Sequence, residues 1–121
     1  MKIFSRFLMG VLFVLAGINH FLNPEGYYPL IPPYLPHPVL LNFVSGALEV
    51  AFGAGLMTKE YRKISAYGII ILMIAFIPAH VHHIQMEGCV SDRICIPVWA
   101  AWIRLVVIQP LIILWAYYCR K

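Results

Sequence analysis

Four long apolar stretches organise the chain, separated by short polar or proline-rich interruptions. A helix needs roughly 20 mostly apolar residues to cross the hydrocarbon core of a bilayer. The stretches at about 3–22, 39–58, 64–84 and 98–118 each meet that length. The pattern predicts an all-α membrane protein, a single domain over 1–121 built as a bundle of four transmembrane helices. The first stretch has the basic start and apolar run of a signal peptide. Asn19-His20 stands where a small-residue cleavage site would be, so this stretch is read as a retained helix.

Composition agrees with the pattern. Hydrophobic residues make up 62% of the chain and charged residues 12%, against about half and about a quarter in soluble domains. Mean hydropathy is +0.82 and the pI is near 9.1. A net charge of +4 raises nucleic acid as a partner. The placement of the charges excludes it, because they flank apolar runs and form no single patch. Lys2, Arg6, Lys59, Arg62, Lys63, Arg120 and Lys121 all fall on one side of the predicted bundle, with Glu60 as the one acid there. The other side carries Glu25, Glu87, Asp92 and Arg93. Basic loops stay in the cytoplasm. The expected location is the bacterial cytoplasmic (inner) membrane, with both termini cytoplasmic and the lipid bilayer as the first partner.

The loop at 23–38 holds Pro24, Pro29, Pro32, Pro33, Pro36 and Pro38 with Tyr27, Tyr28 and Tyr34 among them. Proline restricts its own backbone and that of its predecessor, and tyrosine suits the headgroup level. The loop reads either as a stiff lid on the outer face or as a plain interfacial connector.

Ionisable groups at membrane depth are costly and mark sites by default. Glu49 lies near the middle of the second helix and Arg104 in the outer third of the fourth, so a Glu49–Arg104 pair is expected. Asn42, Gly46, Glu49 and Gly53 follow helical spacing and share one face. The third helix ends in Pro78-Ala79-His80-Val81-His82-His83, where Pro78 should kink it and free the Ile74 carbonyl. His80 and His83 can face the same way. By depth, Asn19, His20, Glu49, His80, His83 and Arg104 all belong to the outer half and form the candidate ligand-binding cluster. No catalytic residue is assigned. Three readings compete: a pocket for a quinone or similar lipid-soluble molecule, a metal site, or a structural polar network. Metal is the weaker of the two ligand readings, because Arg104 would repel a cation. Gln109 lies about 140° around an α-helix from Arg104 and need not share its face. It is free to bridge to a neighbouring helix or subunit.

Cys89 and Cys95 share the second outer loop, on the oxidising side, and form a candidate disulfide. Neighbouring Glu87 and Asp92 disfavour thiolates, which favours a structural bridge over a redox-active pair. Cys119 is expected to be cytoplasmic and unpaired.

Several motifs then line up in order. Ala16-Gly17-Ile18-Asn19-His20-Phe21 followed by Pro24 resembles the opening motif of DoxX-like membrane proteins. Pro32-Pro33-Tyr34-Leu35-Pro36 is similar to their proline-rich segment, and Ser45-Gly46-Ala47-Leu48-Glu49 to their Ser-Gly-x-x-Glu. Arg62, Phe76-Ile77-Pro78-Ala79, Arg104, Gln109-Pro110 and Trp115-Ala116-Tyr117 continue the resemblance. His80 stands where that family commonly has Asn. The resemblance implies a four-helix bundle with a redox association. Some relatives resemble subunits of a thiosulfate:quinone oxidoreductase, others belong with membrane oxidoreductase complexes, and animal relatives look like receptor-assembly chaperones.

The leading expectation is a redox-associated protein that binds a quinone or similar molecule in the outer half of the bundle. The alternative is a non-catalytic accessory or assembly subunit that stabilises another membrane protein, such as a membrane oxidoreductase. A transporter or metal handler is a weaker third reading, since four helices leave little room for alternating access. Glycine-rich helix faces are compatible with a homo-oligomer.

Overall fold

Helix α1 (Lys2–Leu22) buries Met9, Gly10, Phe13, Gly17 and His20, a stripe at helical spacing. The chain then makes a single helical turn, α2 (Pro24–Tyr27), and a short 3-10 turn at Tyr28–Leu30. Helix α3 (Pro38–Leu56) follows and buries Asn42, Gly46, Glu49, Gly53 and Leu56. The two stripes meet antiparallel at two glycine crossings. A Cβ on Gly17 would lie 2.6 Å from the Gly46 carbonyl oxygen, and one on Gly53 would lie 2.7 Å from the Gly10 carbonyl oxygen. Only glycine permits that backbone approach, which is how small residues drive helix pairing in lipid.

The computed structural model describes residues 1–89 and 95–121. The Asp92 and Arg93 charges of the second loop lie outside the described residues.

The third apolar stretch is divided in two, α4 (Arg62–Ala75) and α5 (Ile77–Gln85). The break falls at Phe76, as Pro78 requires, since a proline nitrogen cannot donate to the Ile74 carbonyl. The fourth comprises α6 (Val98–Ile103), a π-helical stretch at Arg104–Ile108, and α7 (Gln109–Cys119). Pro110 removes the α-helical donor to Val106, and the chain widens here to bond from Gln109 N–H to the Arg104 carbonyl.

Four helices are therefore long and apolar enough to cross a membrane: Lys2–Leu22, Pro38–Leu56, Arg62–Gln85 and Val98–Cys119. Their outer faces are apolar, with Phe4 71%, Ile71 67%, Trp99 67% and Leu114 63% exposed. A surface of that kind is stable against lipid and not against water.

The apolar core is made by Met9, Phe13, Leu56, Ala66, Ile69, Leu72, Met73, Ala116 and Cys119. It sits toward the end that holds both termini. There Trp115 donates its indole N–H to Ser5 Oγ at 2.6 Å, tying α7 to α1. Arg6, counted above with the flanking basic residues, is part of α1 and buried. Its long side chain has turned inward beside this core instead of marking a loop.

Candidate functional site: a polar cavity at the end opposite the termini

The opposite end is hollow. A cavity of about 430 Å³ opens between α1, α3, the α4–α5 break and the start of the π-helical stretch, within the range of small-molecule sites. Most of its wall is apolar, including Ala16, Leu41, Val44, Leu48, Leu72 and Phe76. Tyr27, Leu30, Ile31, Pro32 and Leu35 line it from the proline-rich loop. That loop therefore covers the cavity, and its Pro32 is fully buried.

Four predicted site residues converge on this space: His20, Glu49, His80 and Arg104. Asn19 and His83 do not line it. Each holds a residue that does. Asn19 Nδ2 donates to the Tyr27 hydroxyl at 2.7 Å, and Asn19 Oδ1 accepts from Asn23 Nδ2 at 2.8 Å. This fixes the Tyr27 ring, which stacks on His20 with centroids 3.8 Å apart and planes at 17°.

His20 is held from three sides. Asn42 Nδ2 donates to the His20 carbonyl at 2.9 Å, so its Oδ1 is the atom facing His20 Nδ1 at 2.8 Å. Nδ1 is therefore the donor. Nε2 is left facing Glu49 Oε2 at 3.2 Å. That approach is close enough for an ion pair, and among the described residues no hydrogen-bond donor reaches this buried oxygen. Asn42, His20 and Glu49 are 2%, 7% and 5% exposed, so the triad is sealed from bulk solvent on its outer side.

The expected Glu49–Arg104 pair does not form. Glu49 takes His20 as its ion partner, and Arg104 Nη1 lies 3.2 Å from His83 Nδ1. Depth sets Glu49 and Arg104 at one level, but each takes a histidine as its partner, on α1 and α5 respectively. An arginine only donates, so His83 Nδ1 accepts and its proton sits on Nε2. That Nε2 donates to the Gly88 carbonyl at 2.7 Å. Gly88 is set by the turn that ends α5, in which Gly88 N–H returns to the His83 carbonyl and Glu87 N–H to the Ile84 carbonyl, each at 2.9 Å. Glu87 takes the left-handed conformation at φ 56° that such a helix end requires. Ile96 N–H donates to the same Gly88 carbonyl at 2.9 Å. Cys89 and Cys95, the next residues, are paired across an isolated antiparallel bridge and joined by a disulfide. Cys119 is a free, buried cysteine.

Gln109 donates from Nε2 to the Met73 carbonyl at 2.7 Å, beside the α4–α5 break. Gln109 thus bridges to a neighbouring helix, as expected, and Arg104 reaches the same long helix through His83. The intervening π-helical stretch removes most of the 140° between them, because π geometry brings residues five apart into line.

Asn42 and Tyr27 were missing from the predicted cluster. Asn42 shares the Glu49 stripe at a spacing of seven residues, and a lone amide in an apolar helix was the signal for it. Nothing local to Tyr27 announces its stacking on His20. Among the described residues no group of three or more His, Cys, Asp or Glu side chains converges as a metal site would. A second concavity of about 440 Å³, between Ala51 and Ser65, is an open apolar groove without a charged side chain.

The model of a family described as a domain of unknown function, DUF8561, matches residues 9–120. No curated protein and no solved structure matches the chain.

Proposed function

The chain belongs to the DUF8561 family of unknown function, and we propose that it is an integral membrane protein binding a quinone or similar lipid-soluble molecule. The binding site is the cavity opposite the termini. One observation carries this reading: His20, Glu49, His80 and Arg104 meet in a largely apolar space of about 430 Å³ between helices long and apolar enough to cross a membrane. A few convergent polar groups in an apolar wall are what fix the oxygens of such a ligand. The placement of the basic loop residues supports a cytoplasmic location for both termini in a bacterial inner membrane. A disulfide at the other end is compatible with an oxidising compartment there. The resemblance to DoxX-like proteins supports a redox association, and a membrane oxidoreductase is the proposed partner.

The test is native mass spectrometry of gently extracted protein. The reading predicts a bound quinone-sized mass that is lost in a folded Arg104→Ala variant. A clean ligand-free mass, together with a copurifying membrane protein, would favour the accessory-subunit reading instead.

A further inference from the structure

The charges around the cavity are unevenly matched. Glu49 has His20 as its ion-pair partner at 3.2 Å, although no hydrogen bond reaches its buried Oε2. Arg104 has no carboxylate within 4.0 Å among the described residues. Its partner is a neutral lone pair, Nδ1 of His83 at 3.2 Å. An arginine stays protonated in proteins and presents five N–H donors, and among the described residues His83 Nδ1 accepts from Nη1. A partly buried cation among apolar helices, short of a counter-charge among the described residues, carries a desolvation penalty. His83 cannot relieve it, because its own proton already points at the Gly88 carbonyl. Arg104 lines the cavity together with His80, a second nitrogen base, while the nearer hydrophobic wall includes Leu30, Leu72 and Phe76.

We infer that the occupant carries an acidic oxygen, ionised in place against Arg104, on an apolar body. This rests on the reading of the cavity as a ligand site. Two sources share the chemistry: a long-chain carboxylate and an acidic hydroxyquinone. The planar guanidinium fork suits both, since each offers adjacent oxygens that accept two parallel N–H bonds. A neutral quinone or ester would fill the same space but leave the arginine uncompensated.

Two matched probe pairs separate these possibilities. One is dodecanoate against its methyl ester. The other is a 2-hydroxy-3-alkyl-1,4-naphthoquinone against its 2-methoxy ether. Binding is read by isothermal titration calorimetry on the full chain in lipid nanodiscs, with empty nanodiscs subtracted. At least one acid should bind about tenfold or more tighter than its neutral partner, as expected for hydrogen bonds to a charged group. Which acid wins identifies the source. The preference should persist in Arg104→Lys, which keeps the charge, and vanish in Arg104→Gln. The wild-type comparison stands even if a variant folds poorly. Equal binding of acid and neutral partner on the wild type overturns this inference while leaving the ligand site in place. Absence of binding by all four probes overturns both.

Discussion

The two ends of the bundle use the same four helices in opposite ways. At the end with the termini, Gly10 and Gly53 bring α1 and α3 into backbone contact, and Met9, Phe13, Leu56 and Ala116 fill the space between helices. At the other end α1 and α3 are again clamped by glycines, Gly17 and Gly46. There the third and fourth long helices break at Phe76 and widen at Arg104–Ile108, and a cavity lined by His20, Tyr27, Glu49, His80 and Arg104 results. Close packing and polar side chains are thus partitioned along the bundle axis. Density is concentrated at the end with the termini, and the loosened helices surround a mostly apolar space into which a few polar side chains converge.

This partition predicts how variants will sort. The largest effect should come from the packed end. Gly53→Val would press a branched side chain onto the Gly10 carbonyl and Val14, and should cost about 3 kcal/mol, at the upper end of overpacking penalties. Reversible unfolding in mixed micelles measures it, and the fraction that remains folded should bind ligand normally. Next comes Cys95→Ser, which opens the disulfide with Cys89. Closing so short a loop is worth about 2 kcal/mol. The same unfolding assay reads that loss, and thiol labelling of intact cells should show Cys89 reactive in the variant and protected in the wild type. Because the Gly88 carbonyl next to Cys89 holds His83, which holds Arg104, this variant should also weaken ligand binding. An unchanged affinity would break the link drawn here between the bridge and the site.

Asn42→Leu is predicted to sit between the two classes. It removes the acceptor that orients His20 Nδ1 and the donor to the His20 carbonyl, costing about 1 kcal/mol in stability. It should also lower affinity, because the ring facing Glu49 is no longer held. The smallest effect is expected for Gln109→Leu, which leaves the Met73 carbonyl beside the helix break without its side-chain donor. Hydrogen bonds between membrane helices average about 0.6 kcal/mol, so only a slight fall in unfolding midpoint should appear.

The four apolar helices were legible because length and hydropathy alone determine them. The polar stripe of α3 was legible for a similar reason, since one helix face obeys one period. The break at Phe76 followed from Pro78. The pairing of charges was not legible. Depth arguments set Glu49 against Arg104, yet which side chains meet depends on helix rotation, and the two take His20 and His83 as their separate partners. Gln109 shows the same limit more sharply. Its angle from Arg104 was reckoned at α-helical pitch, and five residues of π-helix between them changed that angle. Tyr27 illustrates a third kind of loss: a loop side chain that stacks on His20 has no periodicity to betray it.

If the cavity, and not the exposed apolar surface, receives the ligand, photocrosslinking with a short-chain azidoquinone in native membranes, followed by peptide mapping, will locate it there. Adducts are expected on the segment containing Tyr27 to Leu35 and on that containing Leu72 to His80, both reduced by excess unlabelled quinone. Adducts spread over the exposed faces of Trp99, Val106 and Leu114, and insensitive to competitor, would contradict binding in the cavity.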